Sequence, residues 1–157
     1  MPQFLHEKII HDLLEAAKPI PRDYALMHLA ACTALRSSDL LKLRAKEVID
    51  SDGQIVRSLR VKMKKTGRWI QRPLREDCRS AIRTYLATRP GANPWLFCGL
   101  APRKPPYRPL HRFSYHKIIR GYLLLFFNAS DLVGSATHTL RRSVAKAVYK
   151  KTGEITV

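Results

Sequence analysis

The 157 residues predict a mainly α-helical domain carrying one small antiparallel β-hairpin, an α+β fold. Three observations lead there. Apolar residues recur at three- and four-residue intervals in six stretches, the spacing that lines one face of a helix. The period falls to two only around Arg57–Lys64, the signature of a half-buried strand. At this length, 45% hydrophobic and 26% charged residues suffice for one continuous core without a disulfide or metal staple.

The elements follow in order. Leu5, Ile9, Leu13 and Ala16 stripe a first helix over residues 4–17, closed by Pro19 and Pro21. Residues 22–35 form a second helix, apolar on nearly every side and therefore buried. Ser37 or Ser38 caps a third helix running through residues 39–48, with Asp39 in its first turn. In residues 57–64, Leu59, Val61 and Met63 alternate with Arg60, Lys62 and Lys64. Lys65-Thr66-Gly67-Arg68 turns the chain, and residues 69–74 return, with Pro73 at the strand end or on an edge. Glu76 and Asp77 open a helix striped by Cys78, Ala81, Ile82, Tyr85 and Leu86 and stopped by Pro90-Gly91. Trp95-Leu96-Phe97 reads as a short strand, and residues 101–109 as an exposed Pro-rich basic loop. Residues 111–127 and 139–151 make the last two helices, the final one ended by Gly153.

Composition narrows the function. With 29 Lys and Arg against 12 Asp and Glu the formal charge is +17, and the excess falls entirely in residues 51–157. A folded domain with its surplus charge in one stretch is expected to meet a polyanion, and nucleic acid is the commonest. No apolar run nears the ~20 residues of a membrane span, so no membrane partner is expected. Glu7 and the lack of a small-residue cleavage site argue against a signal peptide. Cys32, Cys78 and Cys98, an odd number without a CxxC pair, fit a reduced cytoplasmic compartment. Metal chemistry is not expected. His6 and His11, like His111 and His116, are five residues apart, which turns the imidazoles about 140° from each other on a helix. No P-loop, GxSxG or zinc-finger pattern occurs.

Three constellations carry chemistry. Arg36 stands at the break between two apolar helices, where a guanidinium needs a carboxylate or phosphate, and Asp39 is close enough to orient it. On those residues alone, a helix-end ion pair is the simpler account. The hairpin carries Arg57, Arg60, Lys62, Lys64, Lys65, Arg68, Arg72 and Arg75 with no acid between Gly53 and Arg75. Such a ribbon lies along a phosphate backbone, although charge protecting a solvated strand edge explains it equally well. His138 and Arg141 share one face at a helix start, where free amides favour an anion. An ordinary surface helix often shows the same pair.

Taken in order, TALRSSDLLKL, KKTGR in a basic hairpin and THTLRRSVA resemble the catalytic domain of the tyrosine recombinases, the phage-integrase family. The resemblance covers the whole chain as a single domain. Its pattern is an arginine followed at three residues by an acid, a lysine at a hairpin turn, and His-x-Leu-Arg late in the domain. Here these are Arg36 with Asp39, Lys65, and His138 with Arg141. Ala34 departs from the glycine usual before Leu-Arg, tightening the turn but leaving the arginine in register. The resemblance implies metal- and cofactor-free DNA strand exchange through a 3′-phosphotyrosine. Arg36 and Arg141 would clamp the phosphate, Lys65 would protonate the leaving 5′-oxygen, and His138 would bond the phosphate or accept the nucleophile's proton. Arg60, Lys62, Lys64, Arg68, Arg103 and Lys104 are the expected DNA-backbone contacts.

It also implies a cytoplasmic protein of a bacterial, phage or plasmid setting that associates with other protomers on double-stranded DNA. Two family parts are expected to be missing: the N-terminal core-binding domain, and the tyrosine segment that follows His-x-Leu-Arg. Tyr149, eight residues past Arg141 on the same helix, lies about 12 Å along it, too far to be the nucleophile. The chain alone is therefore expected to be inactive. The alternative is a degenerate, non-catalytic DNA-binding relative, against which Lys65 and His138 speak. An unrelated RNA-binding protein lacks any RNP, KH or GXXG signature.

Overall fold

The computed structural model describes residues 4–89, 91–99, 105–132, 134 and 136–152, with 148, 149, 151 and 152 as backbone only. Helix α1 (Glu7–Ala17) opens where the His6 ring accepts the Lys8 amide. Pro21, rather than closing α1, occupies the first turn of α2 (Pro21–Thr33), where its missing N–H costs nothing. As its sequence predicts, α2 is buried nearly all round, with Ala25, Leu26, Met27 and Leu29 sealed from solvent. It packs most extensively on α5 (Glu76–Thr88) and also meets α1, strand β2 (Trp69–Pro73) and α7 (Ala136–Thr152).

The expected third helix is instead two single turns, α3 (Ser37–Leu40) and α4 (Ala45–Val48). Neither serine caps it; Arg36 occupies the cap position. The cause is a competing partner for the backbone. The Leu96 amide donates to the Leu43 carbonyl and the Ala45 amide to that of Pro94, pairing Arg44 with Trp95 in an isolated antiparallel bridge. Helical geometry through residues 42–44 would forfeit those bonds and expose Leu43, now 2% accessible. The short strand expected at residues 95–97 is reduced to that bridge.

Strand β1 (Ser58–Lys62) pairs antiparallel with β2, Leu59 opposite Arg72 and Lys62 opposite Trp69. The alternation is as expected: Leu59, Val61 and Met63 are buried while Arg60, Lys62 and Lys64 face solvent. The turn closes through Gly67, whose φ of 67° suits glycine, and its amide bonds the Met63 carbonyl. Helix α5 buries Cys78, Ala81, Ile82 and Tyr85 against α2. Helix α6 (Arg112–Leu123) stops four residues before the expected end, and Leu124, Leu125 and Phe126 are exposed in the turns that follow. A 3₁₀ turn at Ala129–Asp131 leads to α7, which starts at Ala136, earlier than its apolar stripe indicates. The Leu5 amide bonds the Ser143 hydroxyl at 2.6 Å, tying the start of the described chain to its last helix. No described helix is long and apolar enough to cross a membrane.

Candidate functional site: a cationic corner at the end of helix α2

Helix α2 ends in an αL residue, Ala34, with φ of 50°. Glycine adopts that conformation freely, whereas a Cβ costs about 1–2 kcal/mol. The turn reverses the chain so that Arg36 leaves the core at the start of α3. Thr33 steadies it, its hydroxyl donating to the Leu29 carbonyl at 2.7 Å. The carbonyls of residues 33 and 34 point outward at the negative end of the α2 dipole.

Three arginines gather on this corner. Arg141, from α7, donates its Nε–H to the Ala34 carbonyl at 2.7 Å. Arg72, from β2, donates its Nε–H to the Thr33 carbonyl at 3.3 Å. Arg36 reaches the Met63 sulfur at 3.8 Å. None of the three forms an ion pair with a carboxylate within the described chain. Asp39, 5% accessible, does not pair with Arg36. Its Oδ1 instead accepts the Lys64 amide at 3.0 Å, and its buried Oδ2 has no partner. The acid thus pins the root of the hairpin turn rather than closing the helix end. Burial, then the neighbouring guanidiniums of Arg36, Arg142 and Arg72, hold the Arg141 pKa below its ordinary value, with Asp39 opposing them. A desolvated cation beside other cations is a site prepared for an anion.

Lys65 follows directly on the pinned Lys64 and is exposed within the turn. His138 is exposed in the first turn of α7, three residues and so one helical turn before Arg141. Hence Arg36, Asp39, Arg141 and the root of the Lys65 turn come together, with His138 on the helix that delivers Arg141. Arg60, Lys62, Lys64 and Arg68 are exposed along the hairpin, Arg60 lying 4.7 Å over the Trp69 ring. Arg103 and Lys104 fall outside the described residues. Among the described residues, no three His, Cys, Asp or Glu side chains are grouped to hold a metal ion.

Arg72 is the member that sequence reasoning missed. It was counted among the hairpin cations, yet its signal was present. Strand alternation puts it with Ile70 on the face of Leu59 and Val61, whereas Arg60 and Lys62 of β1 take the solvated face. Tyr85, Tyr115 and Tyr122 present no free hydroxyl at this corner. Tyr115 is 3% accessible, and burial pushes its pKa up. Tyr85 sits 3.7 Å from the Cys98 sulfur, its pKa raised to about 12 chiefly by burial. Tyr122 donates to Asp23 at 3.1 Å. The side chain of Tyr149 lies outside the described residues. A groove of about 770 Å³ between α1, α2, α5 and α7 contains none of the predicted site residues.

The sequence profile of the phage integrase family matches residues 3–157. No curated protein sequence matches the chain. Among solved structures, XerA recombinase is 23% identical with a TM-score of 0.76, covering 98% of this chain and 53% of its own. XerH recombinase, solved after cleavage on its palindromic difH substrate, is 20% identical with a TM-score of 0.73, covering 98% and 43%. The lambda integrase catalytic core is 18% identical with a TM-score of 0.68, covering 95% and 84%. A lambda integrase dimer on a COC′ core site is 20% identical with a TM-score of 0.65, covering 95% and 53%. The chain thus has the fold of these catalytic domains and spans about half the length of the Xer proteins.

Proposed function

The chain belongs to the phage integrase family, and from that premise we propose that its cationic corner grips the scissile phosphate of duplex DNA in recombination by a tyrosine nucleophile. One observation carries the reading. Arg36 and Arg141, from distant parts of the sequence, meet at one left-handed turn held by carbonyls and a thioether rather than by carboxylates. Carbonyls orient a guanidinium without neutralising it, so its charge stays available to a phosphate.

In the reaction, the tyrosine oxygen attacks phosphorus as the P–O5′ bond breaks, leaving a 3′-phosphotyrosyl link and a 5′-hydroxyl. Arg36 and Arg141 bind the non-bridging oxygens and stabilise the second negative charge of the transition state. Lys65, on a turn anchored through Asp39, gives the departing 5′-oxygen its proton. His138 bonds a non-bridging oxygen or takes the tyrosine's proton. Arg60, Lys62, Lys64 and Arg68, with Arg103 and Lys104, follow the flanking backbone. As XerH was solved on its difH substrate and lambda integrase as a dimer on a core site, this chain binds duplex DNA and associates with a second protomer there.

The nucleophile is none of the six tyrosines of these 157 residues. Supporting this, Tyr85 and Tyr115 are buried, Tyr122 is bonded to Asp23, and Tyr149 is two turns beyond Arg141. The stretch therefore binds and polarises the phosphate without forming a covalent bond itself. The test is incubation with nicked duplex and separation under denaturing conditions. No adduct is expected from residues 1–157, and one is expected when the chain continues to a downstream tyrosine. An adduct mapping to Tyr24, Tyr85, Tyr107, Tyr115, Tyr122 or Tyr149 would overturn the assignment.

A further inference from the structure

We propose that Arg72 completes the anion site as a positioning residue, holding the Thr33–Ala34 corner together with Arg141 and adding the positive charge that makes the site prefer a doubly over a singly charged phosphoryl group. The proposal rests on reading the corner as a phosphodiester site.

Three features of Arg72 support it. The first is the face it occupies. In β2, Trp69, Gln71 and Pro73 are exposed while Ile70 and Arg72 turn inward, and Arg72 pairs across the ladder with Leu59, which is fully buried. An arginine needed only for solubility would be placed one residue earlier or later, on the solvated face.

The second is what it grips. Arg72 and Arg141 donate to the carbonyls of two successive residues, Thr33 and Ala34. The second of these is the strained left-handed residue from which the chain runs on to Arg36. Arg72 thus braces from the hairpin side the corner that Arg141 braces from the helix side. Its Nη1 donates to the Gln71 carbonyl at 3.2 Å, so the guanidinium is fixed in plane, and no hydrogen bond of the described chain uses its Nη2.

The third is charge. Beside Arg141 stand the guanidiniums of Arg36, Arg72 and Arg142 against one acid, Asp39, so the corner keeps an excess of positive charge. A phosphodiester carries one negative charge, and the five-coordinate transition state of its cleavage carries two. The Arg72 guanidinium adds to the charge of Arg36 and Arg141 and favours the second over the first. Satisfying the end of α2 is a purely structural role that Arg72 also plays, but that role has no preference between anions.

The experiment uses the 157-residue chain labelled with ¹⁵N in its arginines, titrated at constant ionic strength with sulfate as the dianion and dimethyl phosphate as the monoanion. In the wild type, the Nε–H signals of Arg72 and Arg141 should shift with sulfate, and sulfate should bind more tightly than dimethyl phosphate. Arg72→Gln should weaken sulfate roughly tenfold and dimethyl phosphate much less. Arg72→Lys should recover most of the sulfate preference while leaving the Arg141 Nε–H less protected from exchange. Arg72→Lys and the wild-type shifts decide the matter even if Arg72→Gln does not fold.

If Arg72→Gln leaves both affinities unchanged while Arg36→Gln and Arg141→Gln lower them, Arg72 is only a cap for α2. The inference then falls, and the phosphate site stands. If Arg36→Gln and Arg141→Gln also change nothing, the phosphate reading itself is lost and Arg72 with it.

Discussion

The start of α5 and the end of α2 both hold arginines, and they treat them in opposite ways. At α5, Arg75 bonds Asp77 at 3.1 Å and Arg79 bonds Glu76 at 2.9 Å. At the end of α2, Arg72 and Arg141 bond peptide carbonyls, and Arg36 a thioether. The first arrangement neutralises charge and closes a helix surface. The second fixes the direction of each guanidinium and leaves its charge unspent. A protein that needed only stability would use the first throughout, because cations held together repel.

That contrast is sharpened by substitutions that should move one region and not the other. The largest effect belongs to the core beneath the paired region. Ile82→Ala, emptying a fully buried site between α5 and α2, should lower unfolding free energy by about 2–5 kcal/mol, measured by denaturant titration. Its DNA affinity, where the variant is folded, should be unchanged.

Next is the acid at the corner. Asp39→Ala removes the acceptor of the Lys64 amide and should cost about 1–3 kcal/mol, with faster hydrogen exchange at that amide. If Lys64 exchange is unaffected, Asp39 does not pin the hairpin root.

A pH effect should report on the paired side alone. Burial is the main cause holding the His28 pKa below its ordinary 6.5, while Asp77, at 3.9 Å, pulls it up. The unfolded chain therefore takes up a proton on acidification before folded His28 does. This share of stability is fully present above pH 6.5 and declines as pH falls through 6.5 toward the lowered folded value. His28→Phe should flatten the stability profile there without altering anion binding.

The smallest effect is at the turn. Ala34→Gly relieves the positive φ at the cost of a more flexible unfolded chain, for a net gain of about 0.5–1 kcal/mol. It should leave Arg141 bonded to the same carbonyl.

How far the sequence discloses this arrangement depends on the range of the forces involved. The hairpin was legible because period-two alternation is local, and the same alternation marks Arg72 as inward-facing. Helices α1, α2 and α5 were legible from their stripes, although Pro21 proved to open α2 rather than close α1. The broken third helix was not legible. Its cause is a backbone bond from Leu96 to Leu43, between segments that no local pattern connects. Arg36, Asp39, Lys65, His138 and Arg141 were found by motif; the fold brings Arg36, Asp39 and Arg141 to the root of the Lys65 turn, with His138 one helical turn before Arg141. The partner of Asp39 was misjudged. Sequence spacing favours Arg36 three residues away, whereas the folded chain brings the Lys64 amide closer.

The central claim is that the corner holds one DNA phosphate, and the salt dependence of duplex binding tests it most directly. Log affinity should fall linearly with log salt, by about 0.9 for each phosphate neutralised. On the proposal that Arg36 and Arg141 clamp a single phosphate, the Arg36→Gln, Arg141→Gln double variant should reduce the slope by about 0.9, no more than one phosphate's worth. Lys62→Gln with Lys64→Gln, two exposed hairpin cations proposed to follow the flanking backbone, should reduce it by about twice that, one phosphate for each. A double arginine variant with the wild-type slope, or a wild type whose binding ignores salt, would contradict the account.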